Sequence, residues 1–293
     1  MIKLLPLLLW FICSHTSAAH ATTYGVARSA TPVLNTPAFS SIFGGADGTS
    51  LKTDHCGQVR GLEFIALPGT VFTLHSKTFD GSTAIYRVET DEYPMPDGSA
   101  LYVDSRFVEI RDERPPSRVR VLPSQAAIIA GLKAAVGVSY VWGGNVQGGV
   151  GELIELFYGG DVPGNAKSHL TLAGLDCSGL LYQATGGWTP RNTSQLISFG
   201  KAVPVIGKSL EEIVGSLEPL DLIVWNGHVI IVLDRNTAIE SRLQCGKKAG
   251  GGVVLTPLKQ RMVTILRTRR PMDSWPAAGK QRGVFVVRRW FFP

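Results

Sequence analysis

"GLDCSGLLYQA", residues 174–184, sets Cys177 between an aspartate and a serine, immediately ahead of an apolar run with helical spacing. The reading of that cysteine decides the fold. At the first turn of a helix, free backbone N–H groups and the positive end of the helix dipole favour thiolate over thiol, so a cysteine there is suited to nucleophilic attack. Alone, a cysteine in this position is more often a small core residue. A base separates the two readings, and "WNGHVIIVLD" (225–234) offers His228 at the start of an apolar strand. Of His55, His75, His169 and His228, only His228 begins a strand in the same part of the chain as Cys177, whereas His169 follows a Gly-rich connection. A thiol on a helix start with an imidazole on a following strand is the pairing that nucleophilic catalysis requires.

Outward from Cys177, "SQAAIIAGLKAAVG" predicts a helix capped by Ser124 and ended by Gly137. A second helix runs from Cys177 to about Thr185, stopped by Gly186 and Gly187. Strands are expected over 222–225, 228–233, 238–242, 253–256 and 284–288. Helices first and an antiparallel sheet afterwards make an α+β unit. The stretch "GGNVQGGVGELIELFYGGDVPGN" (143–165) is expected as a long surface connection. Upstream, alternation in 70–74 and 84–88 with turns at Asp80-Gly81 and Asp97-Gly98 predicts a small antiparallel barrel. The charged, proline-containing "RDERPPSRVRVLPS" that follows it is expected as a linker.

Residues 1–21, "MIKLLPLLLWFICSHTSAAHA", have the layout of a secretory signal peptide, with an early lysine, an apolar run and a small-residue ending. No later stretch is long and apolar enough to span a bilayer, so no stable membrane insertion is expected, and an exported location, periplasmic or extracellular, is. The full chain has a net charge of +6, and without Lys3 it keeps +5. The excess gathers late, in Arg261, Arg267, Arg269, Arg270, Arg282, Arg288 and Arg289. A basic face suits an anionic polymer, but no aromatic stacking series or nucleic-acid motif accompanies it, so nucleic acid is not expected as a partner. Beyond residue 21 the cysteines are Cys56, Cys177 and Cys245, an odd count that leaves at least one thiol unpaired. Cys56 and Cys245 are a possible bridge. No CxxC pair or His-rich cluster suggests a metal, and no cofactor is expected.

"YVWGGN" (140–145), "LDCSGLLYQA" (175–184), "TPRNTSQ" (189–195), "LEPLDLIVW" (217–225) and "GHVIIVLD" (227–234) stand in the order found in NlpC-type cell-wall cysteine peptidases, and the chain resembles that family. The resemblance implies a papain-like catalytic domain. It implies cleavage of the γ-D-glutamyl to diamino-acid bond of peptidoglycan stem peptides or muropeptides. It also implies that the β-rich segment is a bacterial SH3-like domain. The division expected is then signal peptide 1–21, N-terminal extension 22–55, SH3-like domain 56–112, linker 113–123 and catalytic domain 124–293.

Carried over by position, Cys177 is the nucleophile, His228 the general base and then acid, and Tyr140 a neighbour of the thiolate and oxyanion. Asp176 and Ser178 are substrate-binding neighbours. The third member is usually histidine, asparagine or glutamine, and here "TAIESR" presents Glu240, which can accept from the His228 ring. Geometry constrains this assignment. A two-residue loop at Arg235-Asn236 would set Glu240 opposite Ile231 and away from His228, whereas a three-residue loop over 234–236 sets it opposite Ile230, diagonal to His228. Relatives with this domain order often use the β domain to select stem peptides with a free L-alanine amine, and Tyr93 is the candidate for that contact, with Asp176 as a second partner. Three other readings are open: an amidase or acyltransferase on the same fold, a non-catalytic wall-binding protein, and an adhesin stabilised by a Cys56–Cys245 disulfide.

Overall fold

The computed structural model describes residues 22–95, 99–159, 162–246 and 250–292. The expected export segment 1–21 and the Asp97-Gly98 turn lie outside them.

The N-terminal part is a seven-stranded sheet with all its pairings antiparallel. Its strands, in spatial order, are Leu62–Ala66, Thr31–Leu34, Leu101–Asp104, Thr83–Glu89, Val71–Asp80, Thr23–Ala27 and Val108–Arg111. Period-two patterning explains the sidedness, since Phe72 and Leu74 are buried while Val71 and Thr73 are half-buried. Gly81 takes a positive φ of 59° in the turn that returns Asp80 to Thr83. Residues 22–55 are not an extension outside this unit. Thr23–Ala27 pairs with strands on both sides, and Thr31–Leu34 pairs with Leu62–Ala66, and this pairing buries the apolar Ala27, Val33 and Leu34.

The connection 143–165 also departs from expectation. It carries a helix, Glu152–Phe157, and a second helix follows at Gly164–Leu170. Val150, Leu153, Ile154, Leu170 and Leu172 join one apolar cluster with Leu34, Phe39, Ile42, Phe43 and Phe107. "ELIELF" has the spacing of a helical apolar stripe, and that stripe is covered by the N-terminal part. The two parts of the chain therefore share a core.

The second sheet runs, in spatial order, Lys201–Ala202, Val284–Arg289, Leu222–Trp225, His228–Val232, Thr237–Leu243 and Gly251–Pro257. Arg270–Met272 pairs parallel with Val284–Arg289, a departure from a purely antiparallel sheet. Alternation gives this sheet two apolar faces. Val229, Ile231 and Ile239 pack with Ile128 and Leu132 of the helix Gln125–Ala134 and with Leu180 and Leu181 of the helix Cys177–Ala184. Ile230, Val232 and Ala238 pack on the opposite face with Leu258, Met262 and Ile265 of the helix Leu258–Leu266.

Three polar devices join the parts. Cys56 and Cys245 form a disulfide across 189 residues. Asn145 pairs with the main chain of Ile65 in both directions, accepting at 2.9 Å and donating at 2.8 Å. Segment 114–124 has no regular structure, yet Arg118 in it donates to both oxygens of buried Glu92, at 3.2 and 2.8 Å. Tyr182, on the helix that starts at Cys177, donates to the same carboxylate at 2.8 Å. Desolvation opposes the charge on Glu92, but the bonds from Arg118 and Tyr182 outweigh it and hold the carboxyl below its ordinary value.

Candidate active site

Asp176 caps the Cys177 helix by accepting the Gly179 N–H at 2.6 Å. The same carboxylate is gripped by Arg191, with Nη1 at 3.1 Å from Oδ1 and Nη2 at 2.6 Å from Oδ2. Arg191 is almost wholly buried and also donates to Ser178 Oγ at 2.9 Å, Asn145 Oδ1 at 3.1 Å and the Gly144 carbonyl at 3.4 Å. One guanidinium thus ties "GGN", "DCS" and "PRN" together, with its hydrogen bonds satisfied. Position 179 has to be glycine because a side chain there would run into the Gly144 carbonyl.

Cys177 is the one free cysteine among the described residues, and it is buried. Its Sγ lies 3.9 Å from the Gly227 carbonyl, the residue before His228. Burial, followed by the Asp176 charge, pushes the thiol up to about 12, against the bonds from Val229 and Ser178 and the charge of Arg191. The helix start alone predicts the opposite direction. Desolvation is the larger effect here and favours the neutral thiol. No hydrogen bond joins Cys177 to the His228 ring.

The hairpin leading to Glu240 turns through three residues. Leu233 N–H donates to the Thr237 carbonyl at 2.9 Å, and Val232 and Ile231 pair with Ala238 and Ile239. That register sets Glu240 opposite Ile230 and diagonal to His228, and the ring Nε2 lies 2.7 Å from Glu240 Oε2. Arg261, on the helix behind, donates from Nε to Oε1 at 2.7 Å and from Nη2 to Oε2 at 2.8 Å. Desolvation works against the Glu240 charge, but the bonds from His228 and Arg261 exceed it and hold the carboxyl below its ordinary value. Trp225 packs against the imidazole with ring centroids 5.1 Å apart, and Arg269 lies 4.1 Å over the Trp225 ring.

Cys177 opens onto a cavity of ≈350 Å³ whose lining includes Tyr140, Trp142, Asp176, Ser178, Arg191 and Gly227. The N-terminal part also lines it, through Glu63 of the strand Leu62–Ala66 and Tyr93 beyond the strand Thr83–Glu89. The Tyr93 ring stacks on Phe64 at 4.5 Å. Its hydroxyl donates to Glu63 Oε2 at 3.0 Å and accepts from Asn192 Nδ2 at 3.1 Å. Burial, then the Glu63 charge, raises the Tyr93 phenol above its ordinary range. Burial, then Asp176 and Cys177, does the same to Tyr140. His228 and Glu240 are not in the lining and sit beyond the Gly227 turn.

No protein-family model matches the chain, and no curated protein matches it in sequence. Its structural neighbours are NlpC/P60 proteins. One is an NlpC/P60 family protein from Bacillus cereus ATCC 10987, at 18% identity and a TM-score of 0.33, covering 92% of this chain and 64% of that one. The chain thus spans less than two thirds of that neighbour's length. Another is RipD from Mycobacterium tuberculosis, described as a non-catalytic NlpC/p60 domain protein adapted to peptidoglycan binding, at 17% identity and a TM-score of 0.32, covering 57% of this chain and 97% of that one. NlpC2 from Trichomonas vaginalis matches at 13% identity and a TM-score of 0.33, covering 93% of this chain and 74% of that one.

Of the residues named from sequence, Tyr93, Tyr140, Asp176, Cys177 and Ser178 meet around one cavity, while His228 and Glu240 form a hydrogen-bonded pair beside it. Asp176 lines the cavity with both oxygens already engaged by Arg191. Sequence reasoning missed Glu63, Arg191 and Arg261. Arg191 had a signal, a lone charge inside "TPRNTSQ" close after the nucleophile motif, whereas Glu63 in "LEFIA" reads as the solvent-facing position of a strand.

Proposed function

We propose that the chain is an exported cysteine peptidase that cuts the γ-D-glutamyl to diamino-acid bond of peptidoglycan stem peptides carrying a free N-terminal amine. The observation that carries this reading is the cavity itself, lined by both the Cys177 thiol and the Glu63–Tyr93 pair. A carboxylate joined to a phenol in a partly desolvated pocket is a partner for an ammonium group. Export is supported by the Cys56–Cys245 disulfide, which suits an oxidising compartment. In domain terms the N-terminal sheet is the SH3-like unit and the remainder the papain-like unit.

The chemistry follows from the two ring nitrogens. With Nε2 engaged by Glu240, Nδ1 is left to take the thiol proton. Substrate closing the cavity brings the thiol and imidazole into contact, and Sγ attacks the γ-carbonyl carbon as its proton passes to Nδ1. The C–N bond then breaks, the leaving amine takes that proton, and water hydrolyses the thioester with the ring again as base. Hydrolysis of L-Ala-γ-D-Glu-diamino-acid peptide at a rate far above that of its N-acetylated form tests the reading. Equal rates on the two would overturn the amine selection, and no hydrolysis of either would overturn the peptidase.

A specific observation favours a second reading. Cys177, buried and without a hydrogen bond to His228, suits a protein that binds wall peptides without turnover. Saturable peptide binding with no product released is its signature.

A further inference from the structure

We propose that Arg261 is a positioning residue for His228, balancing the charge of the buried Glu240 carboxylate so that the imidazole faces a net-neutral ion pair rather than a lone anion. This rests on the peptidase reading of Cys177 and His228. Three observations carry it. Glu240 is only 1% exposed, so little solvent shares its charge. Arg261 engages both of its oxygens, at 2.7 and 2.8 Å. Oxygen Oε2 is shared between Arg261 and the His228 ring, so a permanent cation and the imidazole compete for one acceptor.

The consequence concerns where a proton rests. A buried carboxylate against an imidazole stabilises imidazolium, and an imidazolium cannot accept the Cys177 proton. Paired with a bidentate guanidinium, the same carboxylate keeps its hydrogen bond to the ring, and so its aim, without the full pull on the proton. The other charged groups around the ring do not replace Arg261. Arg242, on the Glu240 strand, stands 3.8 Å from Oε1 and is about a third exposed. Arg269 meets the ring only through Trp225. On the Cys177 side, Asp176 is neutralised by Arg191, and the thiol lies beyond Gly227.

The test titrates the His228 ring proton by NMR in the full chain and in Arg261→Met, Arg261→Lys, Glu240→Gln and the double variant Glu240→Gln/Arg261→Met, alongside pH profiles of kcat/KM on free-amine stem peptide. Arg261→Met is expected to move the ring titration upward by about one pH unit or more, the size of an uncompensated neighbouring charge, and to carry the acid limb of kcat/KM with it. The double variant, with a neutral amide and no lone charge, is expected to bring both back toward the parent, and Arg261→Lys to stand between. An unmoved titration in Arg261→Met, or a double variant no nearer the parent than the single, would overturn the proposal. Melting curves identify folded variants; should Arg261→Met not fold, Arg261→Lys and the double variant decide by the same criteria. Ring titration needs no turnover, so a chain that binds peptide without cutting it would fail the peptidase reading and still be tested here.

Discussion

Glu240 reaches His228 diagonally across a hairpin, with Oε2 2.7 Å from Nε2, because the loop between their strands holds three residues rather than two. One residue fewer would turn every side chain of the second strand to the opposite face and put Glu240 among the Cys177-side apolar groups. The contact is a property of register, and Arg261 meets the same carboxylate because the helix that bears it packs on that face of the sheet.

Replacement of Cys177 by Ala is expected to lower kcat on free-amine peptide by at least about a thousandfold, with little change in melting temperature. Adding His228→Ala to that variant is expected to cost almost nothing more, because nucleophile and base act as one unit. Residual turnover in Cys177→Ala near the parent rate would remove the nucleophile assignment.

The thiol supplies a pH dependence. Its folded pKa, pushed up to about 12 from an ordinary 9.0, means that the folded state favours the protonated group. The stability from this group is therefore fully present below about pH 9 and lost as pH rises toward 12. Relative to Cys177→Ala, whose residue 177 does not titrate, the parent is expected to lose unfolding free energy as pH climbs through that window. Iodoacetamide labelling of the folded protein without substrate should be slow at pH 7 and accelerate steeply above pH 9. Fast labelling at pH 7 would show a thiolate at rest.

Glu63→Gln and Tyr93→Phe are each expected to reduce kcat/KM on free-amine peptides by roughly ten- to a hundredfold, the worth of one charged hydrogen bond. Activity on N-acetylated peptide should change little in either variant. An equal fall on both substrates would make the Glu63–Tyr93 pair a packing feature rather than an amine site.

Asp176→Ala strands Arg191 as an uncompensated buried cation, which costs about 3–5 kcal/mol. The combined Asp176→Ala/Arg191→Met variant is expected to recover a substantial part of that loss in chemical denaturation. No recovery would mean that the cap on Gly179, and not the ion pair, is what Asp176 contributes.

Reducing the Cys56–Cys245 bridge releases a crosslink over 189 residues. The chain-entropy model assigns a loop of that size about 5 kcal/mol, so dithiothreitol should lower the melting temperature markedly. The Cys56→Ser/Cys245→Ser variant should match the reduced protein, and unchanged melting of both would show that the shared core and the hydrogen bonds of Asn145 and Glu92 join the two parts without the bridge.

The nucleophile helix, the strands around His228 and the odd loop needed by Glu240 were legible in the residues, because each depends on neighbours within about a dozen positions, through periodicity or a turn, whereas the Asp176 cap on Gly179 was not read there. The same local logic failed where chain segments far apart meet. Residues 22–55 look like an extension on their own, and "ELIELF", although its apolar spacing is helical, sits in a Gly-rich stretch that reads as a surface connection; both are packed because Phe43, Leu153 and Leu172 complete one core. Arg261 and Glu63 carry no local pattern, and Arg191 shows locally only as a lone charge; their partners lie 21, 30 and 15 residues away. The state of the thiol belongs to that second kind as well. A helix N-terminus lowers a thiol pKa wherever it occurs, but desolvation depends on how many atoms the rest of the fold brings over Cys177, and in the folded chain that burial is the larger effect.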